Sequence, residues 1–379
     1  MIDLFSLLWN FVVPFLIVLT VLVFVHELGH YLAARLCNVR VEVFSVGFGK
    51  EIFGFTAANG TRWKLGMIPV GGYVKMFGEM RPVRKPETEG SDVSSGDDDI
   101  SFNTKSLAER SFIVSAGPLA NFVFAILILT ITFMSIGQPV TPADVGEVTP
   151  NSSAARAGFA SGDLITKING TRIVRFEEVV RIVRLSPGKS LNISVIRDGR
   201  EIALTAIPDV INEQGRRGVQ RYGRLGIKRS LTDRKFVTHG PFLAAWKASE
   251  EAYSLTSSIF LAIGQIISGK REAKELGGPL RIAQMSGDVW QAGLVSFLMF
   301  ATVLSINLGI INLFPVPMLD GGHLMFYAIE ALLGKPLGER AQEYAMRMGV
   351  AMVLALMLFA TWNDLVQLQV VDFFIELVT

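Results

Sequence analysis

The chain has 379 residues, half of them apolar, with a mean hydropathy of +0.42 and a formal net charge of +2. So small a charge leaves no electrostatic footprint for nucleic acid as a partner. The only cysteine, Cys37, excludes both an intrachain disulfide framework and a cysteine-based metal site, while the hydropathy fits a lipid bilayer as surroundings.

In chain order, the first apolar stretch covers residues 4–34 and is uncharged until His26. It reads as a retained span, because Met1 to Ala34 contains no Lys or Arg and the run Leu4–Val25 is too long for a signal-peptide core. Residues 39–79 alternate like strands, with Val43, Phe44, Val46 and Phe48, then Trp63, Leu65 and Met67, then Tyr73, Val74 and Met76; glycines supply the turns. Apolar strands beside a membrane predict a hairpin that dips into it. The polar tract Arg81–Asp99 is expected to be a disordered loop. A second span is predicted at about residues 112–136, between Arg110 and the turn-forming Gly137, Pro139 and Pro142.

Residues 142–208 form a compact unit in this reading. It has a strand at Asp144–Thr149, a short helix ending at Gly158, a helix over Phe176–Leu185, and two strands, Ser190–Arg197 and Glu201–Ile207, joined by an Asp198-Gly199 hairpin turn. Residues 241–269 read as an amphipathic helix lying on the membrane surface. A third span is predicted at about 292–314, and a fourth from near Met348 that breaks at Asn363 and Asp364, with Leu365–Val378 continuing along the interface. Arg35, Arg40, Lys105, Arg110, Lys335, Arg340 and Arg347 flank the spans on one side, which places that side in the cytoplasm and both termini and the middle domain outside it. The expected fold is a polytopic α-helical membrane protein of about four transmembrane helices, with a membrane-associated β-hairpin or sheet and an inserted α+β domain.

Its chemistry centres on His26-Glu27-Leu28-Gly29-His30. Residues i and i+4 of a helix share a face, so both imidazoles can hold one Zn²⁺ while Glu27 sits alongside as general base. A catalytic zinc takes about three protein ligands and keeps one position open for water. Ionisable groups within a span are costly, which favours function over simple capping of the helix end. The third ligand is expected at Asp320, ahead of His323, Glu330 and Glu343, because Asp320 directly ends the uncharged run that closes with Pro315 and Pro317. The competing role for Asp320 is to cap the following helix, 322–333. Asn307 and Asn312 are candidates for holding substrate backbone or, equally, for bonding helices together. Two rival functions remain at this stage: a metal transporter, which has no use for Glu27, and a non-catalytic scaffold, which tolerates loss of zinc.

These residues resemble the site-2 protease family of intramembrane zinc metalloproteases, and within it the bacterial RseP-type enzymes that cleave membrane-anchored anti-sigma factors. The likeness rests on His26–His30, Gly71-Gly72-Tyr73-Val74, Phe102-Asn103, Ala116-Gly117-Pro118-Leu119-Ala120-Asn121 and the stretch from Asn307 through Asp320-Gly321-Gly322. It implies ligands His26, His30 and Asp320, catalytic Glu27, a re-entrant hairpin near residues 40–80 and a PDZ-like insert outside the cytoplasm. One PDZ-like unit is visible where some relatives carry two. The implied function is cleavage of single-pass transmembrane proteins, such as an anti-sigma factor, in the bacterial inner membrane. Gly71 and Gly72 join Asn307 and Asn312 as substrate-binding candidates. The expected segments are 1–36 (first span), 37–107 (β region and cytoplasmic loop), 108–138 (second span), 139–230 (PDZ-like), 231–290 (amphipathic helices), 291–334 (third span with the Asp ligand) and 335–379 (fourth span and tail).

Overall fold

The computed structural model describes residues 8–79, 98–140, 142–215, 218–229, 235–269 and 277–367. The loop expected at 81–99 and the tail expected beyond 367 fall almost wholly outside the described residues. The chain divides into two compact units, Met1–Thr132 with Pro241–Thr379, and Phe133–Gly240.

In the first unit, a π-helical turn, Leu8–Val12, runs into helix α1, Val13–Leu36. Pro14 fits the first turn because its missing N–H has no helical partner there, and Arg35 complements the negative end of the dipole. Two bent strands follow, β1 (Val41–Thr56) and β2 (Arg62–Met76). They pair antiparallel from Val41↔Met76 to Thr56↔Arg62 through several bulges, and the distal half folds back so that Phe44 lies beside both Val74 and Trp63. Phe44 stacks on Trp63 with centroids 4.2 Å apart, and Tyr31 of α1 meets both rings edge-on. Ala33, Ala34, Val39, Val41, Phe44 and Ile113 form the buried core that fixes this sheet against the end of α1. The hairpin's far end keeps Ile52, Phe53 and Met67 exposed.

The remaining long helices of this unit are α2 (Leu107–Ser135), which crosses into the second unit at its end, α5 (Pro241–Ile267), α6 (Pro279–Gln291), α7 (Leu294–Leu313), α8 (Asp320–Leu333) and α9 (Glu339–Gln367). Among the described residues, four helical stretches are long and apolar enough to cross a membrane: Leu8–Leu36, Leu107–Ser135, Leu294–Leu313 and Arg340–Val366. The protein is therefore a polytopic membrane protein with several β-sheets. The fourth stretch corrects the sequence reading, since it starts well before Met348 and runs unbroken through Asn363 and Asp364. The reason lies in tertiary bonding. Asp364 is buried, and its carboxylate accepts the backbone N–H groups of Gly278 (2.8 Å) and Arg281 (3.0 Å) at the start of α6. It thus satisfies another helix's first turn while remaining in its own.

The second unit is α+β. Its central sheet has the order β6-β5-β7-β8, built from β5 (Leu164–Ile168), β6 (Thr171–Arg172), β7 (Leu191–Arg197) and β8 (Arg200–Ala206). Asp198 and Gly199 turn β7 into β8 with positive φ at both, as a two-residue hairpin needs. Around it lie β3 (Gln138–Val140) paired with β12 (Lys235–Val237), β4 (Val145–Val148) paired with β11 (Ile227–Arg229), and a ribbon of β9 (Asp209–Gly215) and β10 (Gly218–Arg224). Two short helices complete the unit, α3 (Ser153–Ala157) and α4 (Phe176–Arg184). Ile165, Ile168, Val179, Ile193 and Val195 centre its core. Asp163, fully buried, is held by Arg197 through bonds of 2.7 and 2.8 Å and by the Ala160 N–H at 2.9 Å.

Candidate metal centre

His26, Glu27 and His30 are all buried in the C-terminal half of α1, eight per cent exposed each. Asp320 reaches them from the first turn of α8. After α7 ends at Leu313, Phe314 becomes extended, Pro315 and Pro317 forbid helix, and Met318 takes a positive φ of 99°. Leu319 is the N-cap of α8, so Asp320 is not the cap, and the capping alternative gives way. Gly321 makes the close approach possible: a Cβ there would lie 2.3 Å from the Leu313 and Phe314 carbonyl oxygens.

The donor atoms converge. His26 Nε2 and His30 Nε2 are 3.2 Å apart, and Asp320 Oδ2 lies 3.1 Å from the first and 3.5 Å from the second. Asp320 Oδ2 is buried and, among the described residues, accepts no hydrogen bond. Zn–ligand bonds of about 2.0–2.1 Å in a tetrahedron put ligand atoms about 3.3 Å from one another. The three separations straddle that value, so the residues fit a cation held among them, and a buried carboxylate oxygen left without a hydrogen bond is what such a site leaves when only its protein ligands are considered.

The second nitrogens of the rings are also engaged. His30 Nδ1–H donates to the Ile113 carbonyl at 2.9 Å, which fixes the tautomer and leaves the Nε2 lone pair free. His26 Nδ1 sits 3.1 Å from the Asn121 amide. Glu27 lies under β2, where a Cβ on Gly72 would come 3.0 Å from Glu27 Cγ; the strand's glycine lets the sheet lie directly on the carboxylate-bearing turn. Gly71 packs its backbone against the Phe48 ring. Asn307 and Asn312 stand half-buried in the last two turns of α7, and among the described residues neither side chain hydrogen-bonds to the cluster. In the sequence, Gly117 and Asn121 stand out only within a motif, and the Ile113 carbonyl carries no signal. A lone Asn amid an apolar helix was the available signal.

Two imidazoles a turn apart with a carboxylate between them, closed by a distant aspartate inside a bundle of membrane-length helices, define a membrane-embedded metallopeptidase. The chain belongs to Peptidase family M50, whose model matches residues 14–356. It is 42% identical to an Agrobacterium fabrum protein named as a zinc metalloprotease, over 94% of this chain and 96% of that one. It is 36% identical to metalloprotease MmpA of Caulobacter vibrioides (95% and 96% covered) and 32% identical to regulator of sigma-E protease RseP of Salmonella typhimurium (95% and 99% covered).

Proposed function

We propose that this protein is a zinc-dependent intramembrane endopeptidase of the bacterial inner membrane that cuts the transmembrane segments of single-pass proteins, anti-sigma factors among them. The observation that carries the reading is the convergence of His26, His30 and Asp320 beside Glu27 within the helical bundle. In this reading His26 Nε2, His30 Nε2 and Asp320 Oδ2 hold the zinc. When bound, the metal supplies Lewis acidity, which acidifies water and polarises a peptide carbonyl. The Glu27 carboxylate takes the proton from the attacking water and hands it to the leaving amine nitrogen.

A helical substrate hides its carbonyls in its own hydrogen bonds and must be unwound first. The exposed apolar end of the β1–β2 hairpin, with Ile52, Phe53 and Met67, is suited to receive it, and Gly71, Gly72, Asn307 and Asn312 are the proposed backbone contacts. Cytoplasmic orientation of the basic flanks, with the inserted unit outside, follows from the charge pattern.

The inserted unit is proposed to be PDZ-like, residues 139–230 in outline. A groove of about 470 Å³ runs between Val179, Val180 and Val183 of α4 and the stretch Leu225–Lys228, which suits an extended peptide added beside β11. Arg156 is bonded to Asp209 and to the Asn151 carbonyl and does not line this groove, so it is not the anchor for a terminal carboxylate there. A Glu27→Gln enzyme in purified membranes is expected to retain zinc and lose cleavage of a tagged transmembrane substrate. Retained turnover removes Glu27 from the role.

A further inference from the structure

Asn121 is fully buried in α2, ninety-five residues from His26 in sequence and 3.1 Å from its Nδ1. Its backbone carbonyl accepts the Ser305 hydroxyl of α7 at 2.8 Å, so the residue sits where three helices meet. In the arrangement seen, the Asn121 amide nitrogen faces the imidazole, and Oδ1 is buried with no hydrogen-bond partner among the described residues. An amide donor facing Nδ1 requires Nδ1 to be bare, which puts the ring proton on Nε2, the atom 3.1 Å from Asp320 Oδ2. A metal on Nε2 requires the opposite tautomer, with the proton on Nδ1 and an acceptor to receive it. A half-turn of the amide about its Cβ–Cγ bond supplies that acceptor, Oδ1, at the same place.

We infer that Asn121 is a positioning residue for the metal ligand His26: its amide serves either tautomer by turning over, and in the metal-holding state Oδ1 accepts the His26 Nδ1–H. The inference rests on the zinc reading above. His30 has a fixed acceptor, the Ile113 carbonyl, and so admits one ligand tautomer only, whereas His26 depends on a side chain that can reverse. An aspartate at this position would accept from Nδ1–H and favour the ligand tautomer. A leucine, similar in size, would offer nothing and leave the Nδ1–H buried without a partner.

The test measures zinc dissociation constants by chelator competition on full-length protein purified in detergent, with thermal unfolding recorded alongside. Asn121→Leu is expected to bind zinc about 10–100-fold more weakly, and Asn121→Asp at least as tightly as the native protein. Ser305→Ala loosens the same helix junction without touching the imidazole, and is expected to lower the unfolding midpoint while leaving zinc affinity native. Should Asn121→Leu fail to fold, Asn121→Ala carries the same expectation. Native affinity in the folded leucine or alanine variant, or a loss in Asn121→Asp as large as in Asn121→Leu, overturns the inference. His26→Ala separates the two levels: if it too keeps native zinc affinity, the metal site itself is wrong, and if it alone loses zinc, only the role of Asn121 falls.

Discussion

Gly117→Ala is a change of one methyl group that acts directly on a metal ligand. A Cβ at Gly117 would stand 2.2 Å from His30 Nε2, 2.5 Å from Cε1 and 2.7 Å from Cδ2, where ordinary contact begins at 3.4 Å. The ring must retreat by more than an ångström, yet its Nδ1 is tied to the Ile113 carbonyl at 2.9 Å on the same helix. Ligand geometry tolerates about 0.2 Å at a metal site and about 0.5 Å in a catalytic constellation. The clash exceeds both, so His30 leaves the ligand set while the bundle absorbs about 1–3 kcal/mol of overpacking. Zinc affinity of the purified variant, read by chelator competition, is expected to fall by about 100-fold or more, with cleavage lost in parallel and the fold retained. A folded Gly117→Ala protein that binds zinc within about twofold of the native protein refutes the placement of His30, since its Cβ cannot coexist with a ligand there.

Arg110 of α2 bonds Glu330 of α8 through both oxygens, at 2.7 and 3.4 Å, with both side chains less than one-fifth exposed. Arg110→Ala strands the carboxylate, and a drop of about 3–5 kcal/mol in stability is expected by thermal unfolding in detergent; an unchanged midpoint contradicts it. In the inserted unit, burial pushes the Asp163 carboxyl up, but the Arg197 guanidinium and the Ala160 N–H outweigh it and hold its pKa below the usual range. A group depressed in the folded state adds stability above its unfolded pKa of about 3.9 and loses it as pH falls through its folded value. Protection of the insert's amides, taken relative to the intrinsic exchange rate at each pH, is therefore expected to fall below about pH 4 in the native protein, and Asp163→Asn to remove that acid step. Persistence of the same step in the variant assigns it elsewhere. Asp364→Ala is expected to cost about 1–3 kcal/mol and to speed exchange of the Gly278 and Arg281 amides, which lose their carboxylate acceptor; native protection of both would exclude this cap.

What could be read from sequence follows from where local pattern and tertiary demand agree. His26 and His30 share a face by helical period alone, and Asp320 stood out because it ends an uncharged run, so their convergence needed no knowledge of packing. The Asp198-Gly199 hairpin was equally local. Asn363 and Asp364 looked like the end of a span because charge in a membrane is costly, but that cost is met at the start of α6 by Gly278 and Arg281, 86 and 83 residues away in sequence and beyond any local window. The β9–β10 ribbon escaped notice because Asn212, Glu213 and Gln214 leave no apolar alternation to read. Asn121 was visible as a polar residue in an apolar helix, but its meaning depends on which ring nitrogen it faces, which only the assembled helices determine.

The most direct measurement is X-ray absorption at the zinc edge, with metal stoichiometry, on the purified full-length protein and its Asp320→Ala variant. The expected result is one zinc per chain, bound by two imidazole nitrogens and a carboxylate oxygen at about 2.0–2.2 Å, and a marked loss of metal in the variant. A native protein that retains no zinc, or a variant that keeps an unchanged coordination shell, would mean that His26, His30 and Asp320 do not form a metal site.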